Sequence, residues 1–353
     1  MAVVDASFWK GRRVLVTGNT GFKGAWLSLW LLDMGAEVTG LASGVPTDPS
    51  LYELAGLSAD VPQDVVDVRD ADAVQRAVAA RRPEVVIHMA AQAFVRRSFR
   101  DPLETYATNV MGTAHVFEAV RLASEAPRVV LNVTSDKCYE NREWEWGYRE
   151  DEPMGGFDPY SNSKGAAELV TSAYRSSFFS DPDGVRVASA RAGNVIGGGD
   201  WGEDRLMADI MRGALAGEPI AIRRPDAIRP WQHVLNPLSG YLRLVEALWQ
   251  DPAHATGFNF GPAETDARPV QWIVDRIGER WPDALDFQVD PGPHPHEATW
   301  LKLDSARAHT RLGWAPTWAL DTTLDAIVDW YAAYRAGQDV RATTLGQIRS
   351  FAA

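Results

Sequence analysis

Thr134-Ser135-Asp136-Lys137 sets two hydroxyls, an acid and an amine in consecutive positions, directly behind the apolar run Val129-Val-Leu-Asn-Val133. Downstream, Tyr160-Ser-Asn-Ser-Lys164 places a phenol and an amine four residues apart. On a helix that spacing puts both side chains on one face. A cationic Lys164 beside the phenol would lower its pKa from the usual ~10 toward working pH. Tyr160 would then be a general base for an alcohol or sugar hydroxyl. Tyr-x-x-x-Lys alone describes a tyrosine packed on a lysine stem equally well, so the reading needs a second feature.

That feature is Thr17-Gly18-Asn19-Thr20-Gly21-Phe22-Lys23-Gly24, which follows the strand-like Val14-Leu-Val-Thr17 and opens a helical stretch, Phe22 to Leu32. Gly18, Gly21 and Gly24 permit a tight turn, close backbone approach to a pyrophosphate and close helix–strand packing. Thr20, Phe22 and Lys23 lie at the helix N-terminus, where unpaired N–H groups and the helix dipole favour an anion. A dinucleotide is the expected ligand. The second strand ends Gly40-Leu-Ala-Ser43, without the acid that many NAD sites carry there. From Gly24 to Val68, however, there is no Lys, Arg or His to meet a 2′-phosphate. NAD is therefore expected over NADP, with Asp67 and Val68 at the adenine. An oxidised nicotinamide beside Tyr160 would add its positive charge to that of Lys164.

Short apolar runs alternate with helical stretches. The runs are Val14 to Thr17, Val38 to Leu41, Val65 to Val68, Val85 to Met89, Val129 to Val133 and Val185 to Ala190. Helices are expected over Ala71 to Ala80, Thr108 to Ala123, Tyr160 to Phe178 and Leu320 to Gly337. The order specifies an α/β chain, a Rossmann-type doubly wound parallel sheet with a smaller C-terminal substrate-binding lobe. The expected division is 1–190 plus 233–262 for the cofactor domain and 191–232 plus 263–353 for the lobe. A guanidinium fork suits anionic oxygens, so Arg191, Arg205 and Arg229 are candidate ligand contacts there, with Asn194 and His233 beside them in the sequence. His294-Pro-His-Glu297 lacks the helical spacing of a metal motif, and Pro293 and Pro295 argue for a loop. His296 is expected at the substrate and no metal is expected. Trp144, Trp146, Trp201 and Trp231 are candidates to stack on a base.

At 353 residues, with 46% apolar and 23% charged, the chain reads as globular. A net charge of −12 argues against nucleic-acid binding. One cysteine, Cys138, fits a reducing cytoplasm, and no apolar run is long enough for a membrane span.

These motifs together resemble the extended short-chain dehydrogenase/reductase family, over nearly the whole chain. Thr17 to Gly24 is similar to its glycine signature, and His88-Met-Ala90-Ala91-Gln92 to the fourth-strand segment lining the cofactor. Asn109-Val-Met-Gly-Thr113 is similar to the helix bearing its structural Asn. Ser135, Tyr160 and Lys164 match its catalytic trio. The longest words, among them "TSDKCYENREWEWGYRE" and "RAGNVIGGGDW", resemble the family's nucleotide-sugar 4,6-dehydratases. The resemblance implies bound NAD, CDP-glucose as substrate and a homodimer or homotetramer. It also gives Asp136 and Lys137 a use: an acid for the departing 6-hydroxyl and a base for the C5 proton. Asp136 would have to hold a proton near neutrality and Lys137 to be partly neutral. The alternatives are dehydration of another NDP-hexose, 4-epimerisation, a non-catalytic NAD-binding role and a hydrolase with a metal on His294 and His296.

Overall fold

The computed structural model describes residues 3–290, 292 and 300–353. The β-branched and leucine runs form seven parallel strands: β1 (Arg13–Thr17), β2 (Glu37–Ala42), β3 (Gln63–Val65), β4 (Val85–His88), β5 (Val129–Val133), β6 (Arg186–Arg191) and β7 (Gly257–Asn259). Their order across the sheet is β7-β6-β5-β4-β1-β2-β3. β4, β5 and β6 are buried at every position, as expected when helices cover both faces. Each buried Val or Leu there contributes ~1.5–3 kcal/mol relative to exposure.

The order reverses between β1 and β4, where Val14 pairs with Val38 on one side and Val85 on the other. A crevice opens beyond the strand ends at such a reversal. Thr17 closes its floor: its hydroxyl accepts from the backbone N–H of Met89 and Ala90, both at 3.1 Å, and lies 2.7 Å from His88 Nδ1.

Four helices position the site. α1 (Phe22–Asp33) follows the glycine turn; α2 (Gly112–Arg121) continues from a π-helical stretch, Ala107–Met111. α3 (Pro159–Ser177) starts at Asp158, whose carboxylate accepts from the Ser161 N–H at 2.9 Å, with Pro159 at the first helical position. α4 (Leu235–Gln250) packs under β5 and β6.

Two expectations shift. The third strand ends at Val65 rather than running to Val68, so Asp67 and Val68 lie in the connection to the following helix. The chain beyond Gly193 is more regular than its Gly- and Pro-rich composition indicates. It includes Leu206–Ala216, α4, β7 and a final helix, Val340–Ala352, which packs on α1 through Phe351 and Trp30, 5.7 Å between ring centroids. Among the described residues, no helix is long and apolar enough to cross a membrane.

Candidate active site

The glycine turn lies at the sheet reversal. Gly18 has φ +71°, and a Cβ there would come within 2.8 Å of the Ala90 backbone. A Cβ on Gly24 would sit 2.2 Å from the Gly18 carbonyl. At Gly21 the nearest atom would be 3.4 Å away, so its outward side stays open to a ligand. These are the three roles a dinucleotide turn requires. A cleft of about 740 Å³ runs from this turn across the sheet ends to the chain beyond Gly193. Gly18, Thr20, Gly21, Phe22, Lys23, Gly24, Asp67, Val68, Ala90, Ala91 and Gln92 all line it. Asp67 is bound by Arg69, Nη2 to Oδ2 at 2.5 Å, so the cation that follows the cation-free stretch is already paired. The residues fit NAD.

Asn109 does not line the cleft. It is buried in the π-helical stretch, where its Oδ1 accepts from the Gln92 N–H at 2.8 Å and its Nδ2 donates to the Gln92 carbonyl (3.0 Å) and Ser163 Oγ (2.8 Å). It orients Gln92 and α3 rather than touching cofactor.

Ser135, Asp136, Lys137, Tyr160 and Lys164 come together on one wall. The acid and the amine are not on the strand: Asp136–Cys138 is a 3₁₀ turn that begins after β5. Pleat alternation therefore does not govern them. Ser135 Oγ accepts from the Lys137 N–H at 3.2 Å and donates to Asp136 Oδ1 at 2.8 Å. Asp136 is buried, and its Oδ2 has no hydrogen-bond partner among the described residues. Gly193 makes room for it; a Cβ there would lie 1.8 Å from Oδ2.

Burial pushes the Tyr160 phenol up to about 12, against the neighbouring Ser135 hydroxyl, which lowers it. In the cofactor-free protein the phenol thus moves away from working pH, contrary to the expected lowering, and a cationic ligand beside it would have to reverse the shift. Burial lowers Lys164 to about 8, and Lys23 likewise, the latter helped by Arg205 and Lys164.

Across the cleft stand Asn194, Arg205 and Arg229. Asp200 holds Arg205 through both carboxylate oxygens at 3.0 Å. The segment 197–200 is held in turn by Trp26, whose indole donates to the Gly198 carbonyl at 2.9 Å. Sequence reasoning missed Arg96, Arg223 and Arg224 in this wall; isolated arginines carry no pattern to mark them.

Two expected substrate contacts are corrected. His233 is fully buried between Trp26 and Trp318, accepts from the Leu235 N–H at 3.2 Å, and is lowered to about 3 by burial. Packing against α1 turns it inward. Arg191 is buried and paired with Glu168 at 2.9 Å, out of reach of a diphosphate. Trp201 and Trp231 line the cleft, whereas Trp144 stacks on Tyr148, 5.2 Å between centroids. His296 and His294 lie outside the described residues, among which no three His, Cys, Asp or Glu side chains gather as a metal site.

The chain is 52% identical over 343 residues to CDP-glucose 4,6-dehydratase of Salmonella typhimurium, covering 96% of this chain and 95% of that protein. It is 25% identical to dTDP-glucose 4,6-dehydratase of Xanthomonas campestris pv. campestris, over 90% and 92%. Among solved structures, the UDP-glucose 4-epimerase of Thermus thermophilus in complex with NAD superposes with TM-score 0.76 at 25% identity, over 91% of this chain and 99% of that one. The GDP-mannose 4,6 dehydratase family model matches residues 15–327, and the chain belongs to that family.

Proposed function

We propose that this chain is an NAD-dependent nucleotide-sugar 4,6-dehydratase that converts CDP-glucose to CDP-4-keto-6-deoxyglucose and water. The observation that carries it is the Asp136–Lys137 turn in the same cleft wall as Tyr160 and Lys164. A hydride-transfer enzyme or a 4-epimerase needs Tyr160 and Lys164; it has no use for a second acid and a second base. The 52% identity to a CDP-glucose 4,6-dehydratase supports the choice of base and sugar.

NAD held at the Gly18–Gly24 turn would supply a hydride acceptor for C4 and a hydride donor for C6. Tyr160 takes the proton of the 4-hydroxyl, leaving a 4-ketone that acidifies C5–H. Lys137 removes the C5 proton, and Asp136 protonates the 6-hydroxyl as it leaves as water. Lys137 then returns a proton to C5. At this point Tyr160 holds one extra proton and Asp136 lacks one. The Ser135 hydroxyl, which donates to Asp136 Oδ1 and neighbours the Tyr160 phenol, accepts the extra proton from Tyr160 and passes its own to Asp136, which restores both groups. Asn194, Arg205 and Arg229 hold the nucleotide diphosphate, with guanidinium forks matched to phosphate oxygens.

The two-lobe division at 190 and 232 and at 262 belongs to this reading, with the substrate between the lobes. A homodimer or homotetramer in the cytoplasm completes it. The apolar side chains of Leu103, Met111 and Leu169, 80%, 51% and 61% exposed on Pro102–Tyr106, Ala107–Met111 and α3, support self-association.

Incubation with CDP-, dTDP-, GDP- and UDP-hexoses tests the reading. A 4-keto-6-deoxy product from the CDP-hexose is expected; a C4 epimer, or no product from any of them, refutes it.

A further inference from the structure

Glu168 lies one helical turn beyond Lys164 on α3 and is buried. Its carboxylate accepts from the Thr134 hydroxyl (2.5 Å), the Ser189 hydroxyl (2.7 Å) and Arg191 Nη2 (2.9 Å). Arg191, also buried, donates through Nη1 to the Tyr139 hydroxyl at 2.6 Å and to the Glu150 carbonyl at 2.9 Å. The Tyr139 hydroxyl donates onward to Asn259 Oδ1 at 2.7 Å.

Thr134 immediately precedes Ser135, and Tyr139 immediately follows Cys138. The ion pair therefore grips the acid/base turn at both ends: Glu168 at the front through Thr134, Arg191 at the back through Tyr139. α3 also touches the turn directly, because a Cβ on Gly165 would lie 2.9 Å from the Cys138 carbonyl. Burying two charges is an inefficient route to stability, since well-packed apolar replacements of such pairs are often neutral or stabilising. A positional use accounts for the pair better.

We propose that Glu168 and Arg191 are a positioning pair that locks the Ser135–Lys137 turn to the helix carrying Tyr160 and Lys164, so that the groups for oxidation and the groups for water elimination keep one fixed spacing. The proposal rests on the dehydratase reading. The negative charge of Glu168 also raises Lys164 against the lowering effect of burial, which keeps the amine protonated further up the pH range.

The experiment uses the NAD-loaded protein and CDP-glucose. Thr134→Val removes the front grip, Thr134→Ser keeps its hydroxyl, and Tyr139→Phe removes the back grip. Formation of reduced cofactor in a single turnover reads the oxidation step. Entry of solvent deuterium at C5 reads the elimination base. Melting temperature reads the fold. A misplacement of ~1 Å costs up to about 10²-fold. Thr134→Val and Tyr139→Phe are therefore expected to slow C5 exchange on the order of 10²-fold and oxidation by less than about tenfold, with Thr134→Ser close to native. Equal losses in both steps, or native C5 exchange with only a lower melting temperature, overturn the positioning role. If Thr134→Val does not fold, Tyr139→Phe decides from the other end of the turn. A native protein that makes no 4-keto product overturns the dehydratase reading itself, which is a separate result.

Discussion

Asp136 is held on one side of its carboxylate and tightly packed on the other. Its carboxylate is fixed by Ser135 on one oxygen and by the bare Cα of Gly193 beside the other. Gly193→Ala would drive a methyl group into Oδ2, and the carboxyl must move. The expected result is a loss of dehydration of at least ~10²-fold, the scale of an acid/base contribution, with NAD affinity changed little; titration beside a product assay checks it. Lys137→Met keeps the stem and removes the amine. Oxidation at C4 should persist while C5 deuterium exchange falls by ~10²- to 10⁴-fold; exchange at the native rate would remove Lys137 from the base role. Arg229→Ala should weaken CDP-glucose binding more than NAD binding, and equal losses would place it elsewhere. Tyr160 and Lys164 were legible because a four-residue spacing shares one helix face and the glycine turn upstream gave it a context, and Ser135 because it follows a buried apolar strand. Glu168 was not, because a glutamate on a helix reads as surface until its neighbours Thr134, Ser189 and Arg191 are folded around it. His233 misled for the converse reason: a histidine in a motif-like stretch carries no mark of which way its ring turns.

At the scale of elements, α3 carries two of the proposed catalytic groups and must begin just before Tyr160. Asp158 and Pro159 set that start. Asp158→Ala should cost ~0.5–2 kcal/mol and let the first turn fray under Tyr160, lowering both melting temperature and turnover. Asp158→Ser, which retains the cap, should recover most of both. A variant with native stability and turnover would mean that tertiary contacts alone fix the helix start. The repeated strand–helix order was readable because buried parallel strands are continuous apolar runs. β7 was not readable as a strand: it has three residues and belongs to the sheet only through its pairing with β6. α4 was hidden differently. It has no side-chain N-cap and contains Pro237 in its first turn, so its start lacks the usual signals.

Across the whole molecule, the rings of His88 and His233 are buried and neutral, each lowered to about 3 by burial. Their folded pKa lies below the unfolded value of ~6.5, so the unfolded chain binds protons that the folded one does not. The stability they contribute is complete above ~6.5 and falls as pH drops toward 3, by ~1.4 kcal/mol per unit for each ring. Denaturation at pH 7 and pH 5.5 should show this loss. His233→Asn keeps an acceptor for the Leu235 N–H and should flatten the slope; an unchanged slope would mean that other groups dominate acid unfolding. The fold and the cofactor turn were legible at this scale, whereas Arg96, Arg223 and Arg224 were not, because they reach the cleft from segments far apart in the chain. In the proposed cycle bound NAD ends oxidised and one solvent proton enters C5. Multiple turnovers of CDP-glucose in deuterated water, followed by mass spectrometry and absorbance at the reduced-cofactor band, measure this most directly. The expected result is CDP-4-keto-6-deoxyglucose with deuterium at C5 and no accumulating NADH. An undeuterated C4 epimer, or NADH formed in step with product, would contradict it.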